Sequence, residues 1–223
     1  MLPQLKKNEV FQTNSNDLES FFDCMEVKRY VMGIFATNTY ILCKDDKAIV
    51  IDPAGKDDKV ISLLGDKKLL AVLLTHGHFD HIKAVDDLYK KYECPVYIHE
   101  EDENLSRDPR QGTVFNISNS AHISCPVVHL NQGKLKIDDF EFEVIFTPGH
   151  SKGSVCYVIE NHIFTGDTLF HLSCGRTDLY GGSDRELKSS LRLLRDLDDD
   201  FIVHPGHDDE STILIEKQYN PYF

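Results

Sequence analysis

The sequence predicts an α/β fold in four αββα layers: two mixed sheets packed together, with helices on the outer faces. Three observations lead there. Short β-rich runs and helix-period runs occur in both halves of the chain. The composition is that of an ordinary globular protein, 41% hydrophobic and 27% charged. No linker or tandem repeat divides the 223 residues, so residues 1–223 read as a single domain with ample length to bury a core.

Residues 1–25 are mixed and polar and read as an N-terminal arm. Thr39 to Cys43 and Ala48 to Asp52 are β-rich runs separated by the polar turn around Asp45 and Asp46, a hairpin-like start. Asp57 to Leu64 is helical, with Val60, Ile61, Leu63 and Leu64 on one face and acidic residues at its opening. Leu69 to Leu74 is a continuous apolar run suited to a buried strand, and it leads into Thr75-His76-Gly77-His78. Helical spacing resumes at Asp80 and runs through Ile82, Val85, Leu88 and Tyr89 to Tyr92, followed by a strand from Pro95 to Ile98. Glu100 to Pro126, with Pro109 and Gly112, reads as a surface excursion with room for one short helix. Strands are expected at Lys134 to Ile137, Phe140 to Phe146, Ser154 to Ile159 and Ile163 to Thr165. Asp184 to Leu197 is a helix on Leu187, Leu191 and Leu194, Phe201 to His204 a strand, and Ser211 to Gln218 a closing helix.

Composition also excludes functions. Lys and Arg number 24 against 37 Asp and Glu, a net charge of −13, which argues against nucleic acid as a partner. The longest apolar run falls far short of the ~20 residues of a membrane span, so no membrane association is expected. The N-terminus has no apolar stretch of signal-peptide type, and six cysteines at 24, 43, 94, 125, 156 and 174 form no C-x-x-C pair. Free thiols in a reducing cytoplasm are the expectation.

The eleven histidines are where chemistry shows. In Thr75-His76-Gly77-His78-Phe79-Asp80-His81, histidines at i and i+2 of an extended chain point the same way and can share one metal ion. Asp80 and His81 fall where the chain turns and can face a second. Helix capping would account for Asp80 alone and leave three imidazoles unexplained. Three further residues follow β-rich runs, each preceded by glycine: His150, Asp167 and His207. Asp52, after another β-run, is suited to buttressing a ligand's second ring nitrogen or the loop backbone. Histidines 99, 122, 129, 162, 171 and 204 are expected to be structural or exposed, and Cys174 a packed residue.

From about Asn38 to Phe223 the segments IDPAG, THGHFDH, TPGHSKGS, FTGDTLF, CGRTD and HPGHDD occur in order. In this the sequence resembles metallo-β-lactamase-fold hydrolases, and within them the glyoxalase II-like (hydroxyacylglutathione hydrolase-like) group. The resemblance implies a metal pair at the sheet edges, with His76, His78 and His150 on one ion, Asp80, His81 and His207 on the other, and Asp167 bridging both. Asp80 and Asp167 are then the catalytic carboxylates and Asp52 stands behind the ligands. Two divalent ions are implied, zinc ahead of iron or manganese, holding a bridging hydroxide. A leaving thiolate needs little protonation, so the implied substrate is a small-molecule thioester, with 2-hydroxyacyl-glutathione as the type.

Arg176, after the Cys-Gly step, is the expected substrate-binding residue, although the tyrosines that accompany it in that group are replaced by Asp178 and Asp209. No C-terminal glutathione-binding helical domain is expected, because the chain ends at Phe223 soon after the last motif. A second resemblance, to mononuclear-iron persulfide dioxygenases acting on glutathione persulfide, rests on the short length and the Gly-Arg-Thr-Asp step. It would use only the counterparts of His76, His150 and Asp167, and Phe79 and Thr168 lie closer to the hydrolase pattern.

Overall fold

The computed structural model describes residues 25–223. The expected N-terminal arm lies outside them except for Met25, which is buried between the sheets. The first sheet runs in order β1 (Glu26–Met32), β2 (Thr37–Lys44), β3 (Lys47–Ile51), β4 (Lys68–Leu73), β5 (Val96–His99) and β6 (Val128–Leu130). Its first three strands are antiparallel neighbours and the rest pair in parallel. The second sheet contains β7 (Gly133–Ile137), β8 (Phe140–Phe146), β9 (Val155–Ile159), β10 (His162–Gly166), β13 (Ile202–Pro205) and β14 (Ser211–Thr212), in the order β14-β13-β10-β9-β8-β7. Between β10 and β13 lie a two-stranded ribbon, β11 (Leu169–Phe170) with β12 (Ser173–Cys174), and a helix.

Strand alternation sorts the side chains into layers. Tyr40, Leu42, Ile49, Ile51, Ala71 and Leu73 face the second sheet and pack on Phe140, Phe142, Val144, Tyr157 and Phe164. Their neighbours Ile41, Val50 and Val72 face the opposite way, against α1 (Asp57–Leu64) and α2 (Val85–Tyr92). Leu187, Leu191 and Leu194 of α4 (Asp184–Arg195) cover the outer face of the second sheet with Ile163 and Val203. Ser183 caps α4, its side chain accepting from the Glu186 N–H. These layers form the expected αββα sandwich. Strands buried on both faces read as continuous apolar runs, as Leu69 to Leu74 does.

At one edge the sheets are stitched together by hydrogen bonds. Tyr157 Oη donates to the Leu74 carbonyl at 2.7 Å, Tyr40 Oη to the Pro205 carbonyl at 2.7 Å, and Val155 N to the Thr75 carbonyl at 2.8 Å. Each buried phenol thereby finds its partner. Leu74 and Pro205 immediately precede the first and last histidine motifs, so this edge carries the candidate site.

Several elements differ from expectation. The helix expected from Asp80 begins at Val85, because residues 79–84 are turns held by Ala84 N to the Pro53 carbonyl and His81 N to the His78 carbonyl. β1 escaped detection because it is an edge strand whose side chains are mostly half-exposed, without clean alternation. The excursion after β5 opens at once with α3 (Glu100–Ser106), followed by a 3₁₀ turn at Gln111–Phe115. It is not only surface, since Asp102, Leu105, Ser106 and Ser120 are buried. The closing helix is α5 (Ile213–Tyr219), preceded by the short pairing of β14 on β13.

Candidate metal centre

Four loops at the stitched edge bring seven side chains together. His76, His78, Asp80 and His81 come from the turn after β4, His150 from the loop after β8, Asp167 from the end of β10, and His207 from the loop after β13. His76, His78 and His150 form one group that could hold a metal ion, and Asp80, His81 and His207 another, with ligand atoms in each within 4.8 Å of one another. His78 Nδ1 and His150 Nε2 stand 2.8 Å apart. Asp167 lies between the groups, with Oδ2 at 3.3 Å from His150 Nε2 and 3.5 Å from His207 Nε2, and Oδ1 at 3.4 Å from His81 Nε2.

The outer ring nitrogens are tied down, which aims the inner ones. His150 Nδ1 donates to the Arg176 carbonyl at 2.7 Å and His207 Nδ1 to the Phe35 carbonyl at 3.0 Å. His76 Nδ1 is 3.0 Å from Thr75 Oγ1, and His81 Nδ1 is 2.9 Å from Asp52 Oδ2. Asp52 also accepts from Thr75 N and Thr75 Oγ1, so it serves both a ring nitrogen and the loop backbone. Asp52, His76 and His81 also converge, but both Asp52 oxygens already have these partners. Asp52 has φ +49°, a conformation uncommon for a non-glycine residue, which these bonds maintain.

Two glycines allow the loops to approach. A Cβ at Gly206 would lie 2.2 Å from Asp167 Oδ1, and one at Gly149, where φ is +140°, would lie 2.2 Å from Leu187 N at the start of α4.

Three buried atoms at the centre have no hydrogen-bond partner: His76 Nε2, His81 Nε2 and Asp167 Oδ1. Buried polar atoms are rarely left so, and imidazole nitrogens and a carboxylate oxygen converging on one point are the donor set of a divalent cation. The residues present fit a metal centre. The electrostatics agree: burial would raise the Asp167 carboxyl, but His81, His207 and His150 hold it well below the usual range. Burial likewise opposes ionisation of Asp80, yet His81 and His207 bring it down to about 2. Burial alone would strip His207 of its charge, but Asp167 and Asp80 push it up to about 10, so an ion binding there would take the place of a proton. Burial, reinforced by His150, takes His78 down to about 3.

Arg176 stands at the mouth of the cleft above this centre, where its guanidinium makes two hydrogen bonds with Asp178, at 2.6 and 2.7 Å. Its expected role as a substrate anchor requires that pair to open. Cys174 lines the same cleft half-buried, and burial pushes its thiol up, the opposite of an activated nucleophile. The six other histidines stand outside the cluster: His99 stacks on Phe146, His129 pairs with Glu103, and His162, His204 and Glu210 form a hydrogen-bonded chain on the second sheet.

Sequence reasoning missed Asp102 and Gln111. Buried Asp102 accepts from Gly77 N at 2.9 Å, Gly153 N at 2.7 Å and Ser151 Oγ at 2.6 Å, which fastens the first histidine loop to the His150 loop. Gln111 accepts from Phe79 N and donates to the carbonyls of Gly77 and Leu105. Both sit in the segment read as a surface excursion, where an acidic residue in a charged helix carries no sign of burial.

This fold and this His/Asp cluster define a metallo-hydrolase: the chain belongs to the metallo-beta-lactamase superfamily, whose family model matches residues 32–207. It is 37% identical to the probable metallo-hydrolase YqgX of Bacillus subtilis (strain 168), over 89% of this chain and 97% of that one. It is 35% identical to the hydroxyacylglutathione hydrolase GloC of Haemophilus influenzae, over 89% and 98%. Among solved structures it is similar to the BLEG-1 B3 metallo-beta-lactamase, with a TM-score of 0.83 and 37% identity over 88% of this chain and 99% of that one. It is also similar to TTHA1623 in a di-iron-bound form, with a TM-score of 0.81 and 32% identity over 88% and 100%. Among the described residues no helix is long and apolar enough to cross a membrane.

Proposed function

We propose that the protein hydrolyses thioesters, with 2-hydroxyacyl-glutathione as the reference substrate, at a centre of two divalent ions, zinc before iron or manganese. The observation that carries this is the pair of candidate ligand groups with Asp167 lying between them, the outer nitrogens of four imidazoles being tied to other groups. His76, His78 and His150 would hold one ion, Asp80, His81 and His207 the other, and Asp167 both. Such a pair, when bound, supplies a hydroxide near neutral pH and polarises a carbonyl oxygen. The likeness to GloC supports the thioester reading.

The chain's own residues prepare the site. Asp52 accepts from His81 Nδ1, so with a metal ion bound the ring's proton would stay on Nδ1 and Nε2 would be free toward Asp80 and Asp167. Thr37 Oγ1 donates to Asp80 Oδ2 at 2.9 Å and fixes that carboxylate. The Arg176 carbonyl orients His150, so the loop carrying Arg176 is coupled to the ligand beside it. In the reaction the oxygen of water bonds to the acyl carbon, the C–S bond breaks, and its electron pair leaves on sulfur. The products are a carboxylate, a thiol and a proton. The five cysteines among the described residues are free, which supports a cytoplasmic location.

A mononuclear-iron dioxygenase would leave the convergence of Asp80, His81 and His207 without a use. Metal analysis of protein purified without added metal, with assays of lactoyl-glutathione cleavage and of oxygen uptake with glutathione persulfide, separates the two. We expect two ions per chain, thioester cleavage and no oxygen uptake, with His81→Ala losing one ion and most turnover. One iron per chain, unchanged in His81→Ala, together with oxygen uptake by the wild type, would overturn the proposal.

A further inference from the structure

The cleft above the centre, about 1340 Å³, has an aromatic wall that the ligand set does not require. Phe79 follows His78 directly and is 9% exposed. The Phe35 ring meets it edge-on with centroids 5.5 Å apart, and Phe115 lies 5.2 Å from Phe35 and 6.1 Å from Phe79. The three rings come from three segments: the tip of the β1–β2 hairpin, the histidine loop and the 3₁₀ turn. Each segment is fastened to the centre. The Phe35 carbonyl accepts from His207, and Gln111 accepts from Phe79 N while donating to the Gly77 carbonyl. The wall is therefore held in register with the ligands. At the mouth it continues as exposed apolar surface, Val114 at 67% and Tyr180 at 79%.

The cations of the same cleft are already committed. Arg176 is paired with Asp178, Arg110 makes two hydrogen bonds to Asp108, and Arg107 is bound to Glu103 and to two backbone carbonyls. No lysine lines the cleft. A substrate bearing carboxylates would have to displace a protein carboxylate from a two-point contact to gain one of its own, a near-even exchange. An aromatic group entering beside Phe35 and Phe115, where the Arg176 guanidinium lies 5.8 Å over the Phe115 ring, would remove apolar surface from water on both partners and need not break the Arg176–Asp178 pair.

We infer that the cleft selects thioesters carrying an aromatic or comparably bulky apolar group, seated on the Phe35–Phe79–Phe115 wall, over small or polyanionic ones. This refines the thioester-hydrolase reading and rests on it. The metal-loaded protein is assayed with four thioesters: phenylacetyl-N-acetylcysteamine, the acetyl thioester of benzyl mercaptan, acetyl-N-acetylcysteamine and lactoyl-glutathione. The first two place the ring on the acyl or on the thiol side. One of them should exceed acetyl-N-acetylcysteamine and lactoyl-glutathione in kcat/KM by on the order of tenfold to a hundredfold. Phe115→Ala should erase that advantage, lowering kcat/KM for the aromatic thioester by on the order of tenfold more than for acetyl-N-acetylcysteamine at unchanged metal content, and be partly rescued by Phe115→Leu. Equal rates for aromatic and small thioesters, or a Phe115→Ala loss shared by all four, would overturn the inference while leaving thioester hydrolysis intact. If none of the four is cleaved, the functional reading fails, and the wall is judged by calorimetry. Phenylacetate or benzyl mercaptan should then bind about tenfold tighter than acetate or N-acetylcysteamine, with the difference lost in Phe115→Ala. Equal binding would refute the wall's role.

Discussion

Replacing Asp102 by alanine tests whether the segment after β5 is part of the centre. Asp102 is 1% exposed and accepts hydrogen bonds from Gly77 N, Gly153 N and Ser151 Oγ, at 2.6 to 2.9 Å. Ser151 Oγ has a second partner in Ser154 Oγ, so the substitution orphans two buried N–H groups and weakens a third donor. An orphaned buried donor costs about 1–3 kcal/mol, so Asp102→Ala should cost about 3–5 kcal/mol in the metal-free protein. For a chain of this size that lowers Tm by roughly 6–20 °C. Gly77 lies between two proposed ligands and Ser151 follows a third, so metal affinity should also fall, by about 10- to 100-fold. Burial raises the Asp102 carboxyl above its usual range even against those three donors. A carboxyl raised on folding contributes stability at low pH that is lost as pH rises from its unfolded value through its folded one. Asp102→Asn should therefore show its largest deficit at the acid end, narrowing as pH rises through that window. Denaturant titrations of the metal-free proteins and competitive metal titrations measure both quantities. Metal-free stability within about 1 kcal/mol of wild type, together with unchanged metal affinity, would refute this reasoning.

Asp167→Ala removes the carboxylate that lies between the two candidate ligand groups, so under the proposed binuclear arrangement metal content should fall at both positions; elemental analysis still finding two ions per chain would end the bridging assignment. Glu210, partly exposed, is held below its ordinary range first by its hydrogen bond to His204. A carboxylate depressed on folding stabilises above its unfolded pKa, and that contribution is lost as pH falls through the folded value. On acidification below about 4.5, wild type should therefore lose more stability than Glu210→Gln, by less than about 1 kcal/mol after solvent screening, as read from denaturant midpoints at matched pH. Parallel losses in the two proteins would show that the bond carries no net stability.

The candidate ligand motifs, whose side chains the fold brings together, were legible because each is local. His76 and His78 share a side by strand alternation, and His150, Asp167 and His207 each follow a β-run and a glycine, so their places at strand ends can be read without knowing how the strands assemble. Asp52 was legible for the same reason. The sandwich was legible from β-rich and helix-period runs recurring in both halves of the chain, with Leu69 to Leu74 apolar throughout as a strand covered on both faces must be. Tertiary structure alone decided which loops meet. Asp102 and Gln111 become site residues because α3 and the 3₁₀ turn fold beneath the histidine loop, and nothing in a polar, charged segment signals burial before its partners are known. The late start of α2 is a contest of the same kind: helical periodicity begins at Asp80, but Asp80 and His81 are drawn into the centre and the backbone of residues 79–84 bonds to Pro53 and His78 instead. Periodicity records which face a segment could bury, while a bond from a distant part of the chain, here Ala84 N to the Pro53 carbonyl, settles whether the helix forms there.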